Sequence, residues 1–279
     1  YGPFQDMLDG SWGYWLQQFL NALVLASFYA TLATAYALLQ GITNKIVLSF
    51  GDFAMFGAFG AVYAALWAMS EGYAIFAMLA VACLAAVMVA AVLGRLANAA
   101  VFSSLIRSPG QAIMIASIGV SIILQETMRL QSDARDQWLP PYYDHALYIE
   151  MPGFPVKLGM PQMTSVATAL IVLSIVALAM RFTRAGRLWR ACAQNERLAQ
   201  LSGVDADAVF RWSFISAGAL AGLAGWIAAE AYGGVSFYMG LMLGTKAMFA
   251  AIAGGFGTIG GALAGGLLLA ALEVAWTVL

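Results

Sequence analysis

Apolar residues run along this chain in blocks far longer than the helices of a soluble domain. Stretches near 16–39, 46–69, 73–93, 110–128, 162–180 and 208–231 each offer close to the number of mostly apolar residues that a membrane-spanning helix requires. A further block, 241–279, is as apolar but repeatedly interrupted by glycine. Strands of a membrane barrel would be shorter and would alternate. The pattern therefore predicts an all-α fold, a polytopic transmembrane helical bundle with a glycine-rich broken-helix segment, forming a single transmembrane domain over 1–279.

Composition removes the soluble alternatives. The chain is 62% hydrophobic and 10% charged, with a mean hydropathy of +0.83. Its 13 basic and 14 acidic residues leave no basic surface for a nucleic acid, so the partner implied by composition is the lipid membrane. The first residue is Tyr1 and the last stretch, "ALEVAWTVL", stops in mid-helix, from which one further span is expected beyond Leu279.

The few charges set the orientation. Lys45, Arg95, Arg107 and the group Arg181, Arg184, Arg187, Arg190, Arg197 and Arg211 fall in connections that alternate with the spans, which makes those connections cytoplasmic. The N-terminal stretch carries Asp6 and Asp9, and 131–161 carries Asp133, Asp136, Asp144 and Glu150 against Arg135 and Lys157; both are expected outside.

The arginine-rich island "TRAGRLWRACAQNERLAQLSGVDADAVFRWSF" (183–214) has small or apolar Leu188, Ala191, Cys192, Leu198 and Ala199 at helical spacing. It predicts a short amphipathic helix over 187–201, closed by Gly203 in a left-handed cap and followed by a span with Asp205 as its N-cap. Pattern alone leaves two uses open: a positively charged loop lying on anionic lipid, or a helix presented to a partner protein.

Chemistry for catalysis is missing from the pattern. The lone His145 sits in the outward proline-rich loop, and Cys83 and Cys192 are placed on opposite kinds of segment, so no catalytic residue, disulfide or metal site is expected. "GLMLGTK" (240–246) lacks the spacing of a phosphate-cradling loop, so the chain is not an enzyme that hydrolyses ATP. Glycines in "AGGFGTIGGALAGG" (253–266) serve either close helix packing or a backbone break beside a transport path. Asp52, Glu126, Glu230, Lys246 and Glu273 lie in or near spans, where ion pairing and substrate contact are equally open and Glu126 and Glu230 also fit the outer boundary.

Four segments carry a family resemblance: "GRLWRACAQNERLAQLSGVDADAVFRWSF", "GLMLGTKAMFAAIAGGFGTIGGALAGGLLLAALE", "IASIGVSIILQE" and "FGDFAMFGAF". In this order-preserving set the chain resembles the permease subunits of branched-chain amino acid ABC transporters, of the smaller, LivH-like type. The resemblance implies that 187–201 is a coupling helix docking on an ATPase, with Arg187, Arg190, Ala191, Glu196, Leu198, Ala199 and Gly203 at the contact and the small residues Ala191, Ala199 and Gly203 entering a groove. It implies substrate-path candidates Gly51, Asp52, Gln125, Gly254, Gly255 and Gly257. It also implies a second permease subunit, two cytoplasmic ATPase subunits that bind ATP and magnesium, a periplasmic substrate-binding protein, and a place in the bacterial inner membrane; no cofactor is expected in this chain.

The chain departs from the family where His-Gly-Glu and a preceding Asn are usual: it has Phe50, Gly51, Asp52 and Val47, and Gly260 stands where Pro is common. Branched-chain amino acids, other amino acids, short amides and urea are therefore all open as cargo. An ion-coupled carrier using Asp52 and Glu273, or a passive channel for a small neutral solute, is the alternative function.

Overall fold

A computed structural model describes residues 12–139, 146–149, 156–255 and 258–278; Asp6, Asp9, Asp144, His145, Glu150 and Gly257 lie outside the described residues. Ten helices are numbered here in chain order: α1 (Trp12–Thr43), α2 (Phe50–Ser70), α3 (Ile75–Ala97), α4 (Gly110–Gln131), α5 (Met160–Phe182), α6 (Arg184–Gln194), α7 (Glu196–Leu201), α8 (Ala206–Tyr232), α9 (Met239–Gly254) and α10 (Ile259–Val278). A wider π turn, Asn98–Phe102, and the short Ser103–Leu105 carry α3 onward. Among the described residues, seven helices are long and apolar enough to cross a membrane, and the 16-residue α9 is a shorter apolar one. The protein is a multi-pass α-helical membrane bundle.

Two small antiparallel ribbons stand outside the helices. β1 (Gln137–Trp138) pairs with β4 (Gly234–Val235), and β2 (Ala146–Ile149) pairs with β3 (Val156–Gly159). The first ribbon ties the segment after α4 to the segment after α8.

The middle of the bundle is α8, packed against α3, α2 and α1. It reaches them because its glycines leave room for backbone: Gly222 lies on the Ala86 carbonyl and on Gly57, and Gly225 lies on Ala54. In hydrocarbon the gain comes from van der Waals packing rather than water release, so small residues mark the tightest crossings. By contrast α4 and α5 are peripheral. Their outward rows, Ile115, Ile118 and Ile122 on one and Leu170, Ile171, Ile175 and Leu178 on the other, are covered by nothing else in the described residues.

Two helix pairs are interrupted, for different reasons. The glycine-rich segment 241–279 is broken as expected, with Gly255 at φ +92 ending α9 before α10 returns antiparallel to it. There Gly254 packs on Gly261 and Gly265 on Ala250. The second interruption was hidden inside the apolar run 46–69. After α1 the chain turns at Asn44 (φ +51) and stays non-helical until Phe50. Phe50 stacks edge-on against Tyr36, with ring centroids 5.3 Å apart, two turns back from the end of α1. Two turns are roughly 10 Å, so the chain folds back into the bundle before α2 starts.

Candidate functional site

The break before α2 positions a polar cluster. Asp52 is in the first turn of α2 and fully buried. Ser121 Oγ donates to its Oδ2, and Gln125 Nε2 donates to its Oδ1 at 3.0 Å and to Ser121 Oγ at 3.1 Å. Ser117 joins the same stripe of α4, accepting from the Leu48 amide at 3.0 Å. Thus Ser117, Ser121 and Gln125, at i, i+4 and i+8, face the one stretch of backbone that lacks helical partners.

The other wall is the first turn of α9. Gly240 lies against the Asp52 side chain, and the backbones of Gly51 and Gly244 touch so closely that a methyl group on either would overlap the other. Two helix starts therefore converge on one carboxylate, the dipole of each placing partial positive charge near it. Ser49 Oγ, fully buried at the same break, has no hydrogen-bond partner among the described residues. Gln125 is the half-buried member of the cluster.

The glycine candidates lie elsewhere. Gly254 and Gly255 sit at the α9–α10 turn, whose Thr258 and Gly260 share a cavity of about 330 Å³ with Trp189 and Arg190 of α6. The structure thus brings Gly51, Asp52 and Gln125 together and puts Gly254 and Gly255 beside the arginine-rich island. Gly257 falls outside the described residues.

The island differs from the single helix expected over 187–201. It is two helices, α6 starting at Arg184 and α7 starting at Glu196, because Asn195 leaves helical geometry and its side chain caps α7 by accepting from the Leu198 amide at 3.0 Å. Thr183 caps α6 through the Gly186 amide, Gly203 (φ +84) ends α7, and Asp205 caps α8 by accepting from Ala208 at 3.0 Å. The expectation for Ala199 is also corrected: it is 5% exposed and packed into this chain's own core. Gly203 is exposed and Ala191 half-buried.

What holds the island is a residue the pattern did not single out. Trp189 is buried, and its Nε1 donates to the Leu38 carbonyl of α1 at 3.0 Å. Arg187 donates to the Phe182 carbonyl at 3.2 Å and Arg190 to the Met180 carbonyl, so two of the arginines close the end of α5 where its dipole favours cations. Arg107, from the α3–α4 connection, reaches Asp207 at 2.8 Å and Glu196 at 3.5 Å. Lys45 donates to the carbonyls of Leu105, Ile106 and Ser108; desolvation holds its ammonium below the usual lysine range, and Glu196 acts the other way. Burial pushes the Cys192 thiol up, and Glu196 adds to that shift. Once these anchors are made, Leu188, Leu198 and Leu201 remain 41%, 60% and 84% exposed.

The remaining charges split as follows. Lys246 and Glu273 form an ion pair at 2.7 Å, and Tyr29 donates to Glu273 Oε2 at 2.6 Å, fastening α9, α10 and α1 together. Glu126 pairs with Arg129 on the exposed side of α4, and Glu230 lies in the last turn of α8.

A helical bundle with a break folded back between two converging helix starts, and a helical segment held against its charged face, defines a membrane transport subunit. Residues 18–279 match the family described as branched-chain amino acid transport system, permease component, and the chain belongs to that family as a permease subunit of an ABC importer. It is 30% identical over 263 residues to the high-affinity branched-chain amino acid transport system permease protein LivH of Escherichia coli K12 and to that of Salmonella typhimurium LT2, covering 93% of this chain and 85% of each relative. It is 29% identical over 262 residues to the corresponding permease protein BraD of Pseudomonas aeruginosa, with the same coverage. No solved structure matches the chain. These similarities disfavour the ion-coupled carrier and the passive channel.

Proposed function

We propose that this subunit carries branched-chain amino acids, or closely related amino acids or amides, inward across a bacterial inner membrane. In this reading a periplasmic binding protein delivers the cargo to the outer mouth, a second permease subunit completes the path, and two cytoplasmic ATPases supply the work. ATP and magnesium belong to those ATPases. The cargo class rests on the relatives' names, and the direction of transport on the importer family.

The observation that carries the coupling role is the island's construction. Trp189, Arg187, Arg190 and Arg107 fix α6 and α7 to the bundle, while Leu188, Leu198 and Leu201 are left exposed among the described residues. A rigidly anchored segment with an exposed apolar edge can transmit a push; a loop resting on lipid needs no such anchoring. The dock is therefore Leu198 and Leu201 with Glu196 and Gly203, rather than Ala199.

Movement of the anchored α6 reaches α9 through α1, which packs on both, and α9 in turn bears on Asp52. The path runs beside that cluster, with Gln125 as its half-buried edge. The test is recovery of the ATPase with the tagged permease after Leu198→Glu together with Leu201→Glu. Loss of ATPase with the membrane complex otherwise intact is expected; full recovery with normal cargo-stimulated hydrolysis would overturn the dock.

A further inference from the structure

A cavity of about 480 Å³ at the cytoplasmic end, between α3, its π turn and the first turns of α8, plays no part in the transport reading. Arg95, Arg107 and Arg211 line it together with Asn98, Ser103, Asp207 and Phe210. Arg107 is engaged by Asp207 and Glu196, whereas Arg95 and Arg211 have no ion-pair or hydrogen-bond partner among the described residues. Two guanidinium groups without partners among the described residues line this one opening, which favours an anion there.

A second observation points the same way. Asn98 is 4% exposed, and its Oδ1 has no hydrogen-bond partner among the described residues. The π turn starts at this residue, a distortion that re-aims side chains in an otherwise regular helix and recurs at functional sites. Oδ1 can only accept, so this buried oxygen calls for a ligand that brings a donor, such as a hydroxyl, beside the anion that the guanidinium groups favour.

The surroundings identify its source. Arg95 and Ala99 continue, at helical spacing, the exposed apolar positions Met88 and Val92 of α3, with Leu96 beside them. A molecule with its phosphate between the two guanidinium groups thus has an apolar track leading away along the bundle. We propose that this cavity binds the head group of an anionic, hydroxyl-bearing phospholipid of the cytoplasmic leaflet, with an acyl chain lying on the Met88–Val92–Leu96 row. Because Arg107 lines the cavity and also reaches Glu196 of α7, an occupied site bears directly on the coupling segment.

The assembled importer, stripped of endogenous lipid, would be exposed to equal amounts of phosphatidylglycerol and phosphatidylcholine and the retained lipid counted by native mass spectrometry. Wild type is expected to retain phosphatidylglycerol selectively, and Arg95→Gln with Arg211→Gln to lower that retention by about tenfold, since each cation near the headgroups contributes substantially. Asn98→Ala, which leaves the charge unchanged, is expected to lower it to a smaller extent. The charge-matched Arg181→Gln with Arg184→Gln complex measures general attraction to anionic lipid, and an equal loss there would overturn the site. A parallel titration with inorganic phosphate and glycerol phosphate in phosphatidylcholine nanodiscs separates the sources: thermal protection by the soluble anions with none from phosphatidylglycerol would overturn the lipid assignment.

Discussion

Asp52 and Glu273 are both carboxylates within apolar helices, and the fold treats them in opposite ways. Glu273 is answered by a full opposite charge, Lys246 at 2.7 Å, with Tyr29 as a second donor. Asp52 meets no cation among the described residues; Ser121, Gln125 and two helix starts hold it. An ion pair spanning α9 and α10 acts as a fastener whose value lies in being kept. A carboxylate tolerated only through neutral donors and helix-end amides depends on the relative position of α2, α4 and α9, so any movement of α9 is felt there. One acid joins elements; the other registers how they are placed.

The contrast breaks most severely at its closest backbone contact. Gly51→Ala would drive a methyl group into the Gly240 carbonyl and the Gly244 backbone, and is expected to cost about 3 kcal/mol or more. Yield of monodisperse complex measures it, against Gly119→Ala, which has open space around it and should behave as wild type.

Next in size is the fastener. Glu273→Gln strands Lys246 and is expected to cost about 2 kcal/mol, the pair being only partly buried. Replacing both partners, Lys246→Met with Glu273→Leu, should recover most of the thermal stability. If the double variant is also stable but transports nothing, Glu273 is more than a fastener.

Asp52→Asn sharpens the comparison from the other side. The carboxamide fits the same space, so assembly should hold while uptake falls about tenfold, the scale of a hydrogen bond to a charged group. Unchanged uptake kinetics would reduce Asp52 to a packing residue.

The smallest effect concerns transmission rather than either acid. Trp189→Phe removes one N–H donor to the Leu38 carbonyl, worth about 1 kcal/mol. Hydrolysis by the importer should continue while uptake per ATP drops; a proportional fall in both would place the fault in assembly instead.

Six of the spans, the apolar glycine-rich segment after them and its break were legible in the sequence because each rests on a local property: run length and glycine density. The caps Gly203 and Asp205 were legible for the same reason. Gln125 and Asp52 were candidates through resemblance, and the i, i+4, i+8 stripe of Ser117, Ser121 and Gln125 was a sequence signal that went unused.

Tertiary structure alone decided the rest. Asn195 splits the arginine-rich island into two helices because its side chain caps the next helix, a choice that competes with helix continuation until α7 has something to pack on. Ala199 turns inward and Leu198 outward because α7, restarted at Asn195, packs on α8 and is held at Glu196 by Arg107. The break before Phe50 is invisible in an apolar run, since hydropathy records what a segment tolerates around it and says nothing of whether its backbone bonds are made within the segment or by Ser117 of another helix. Local sequence set where the long apolar helices run; long-range contacts set where a helix starts, which face it buries, and which of two acids is paired with a cation.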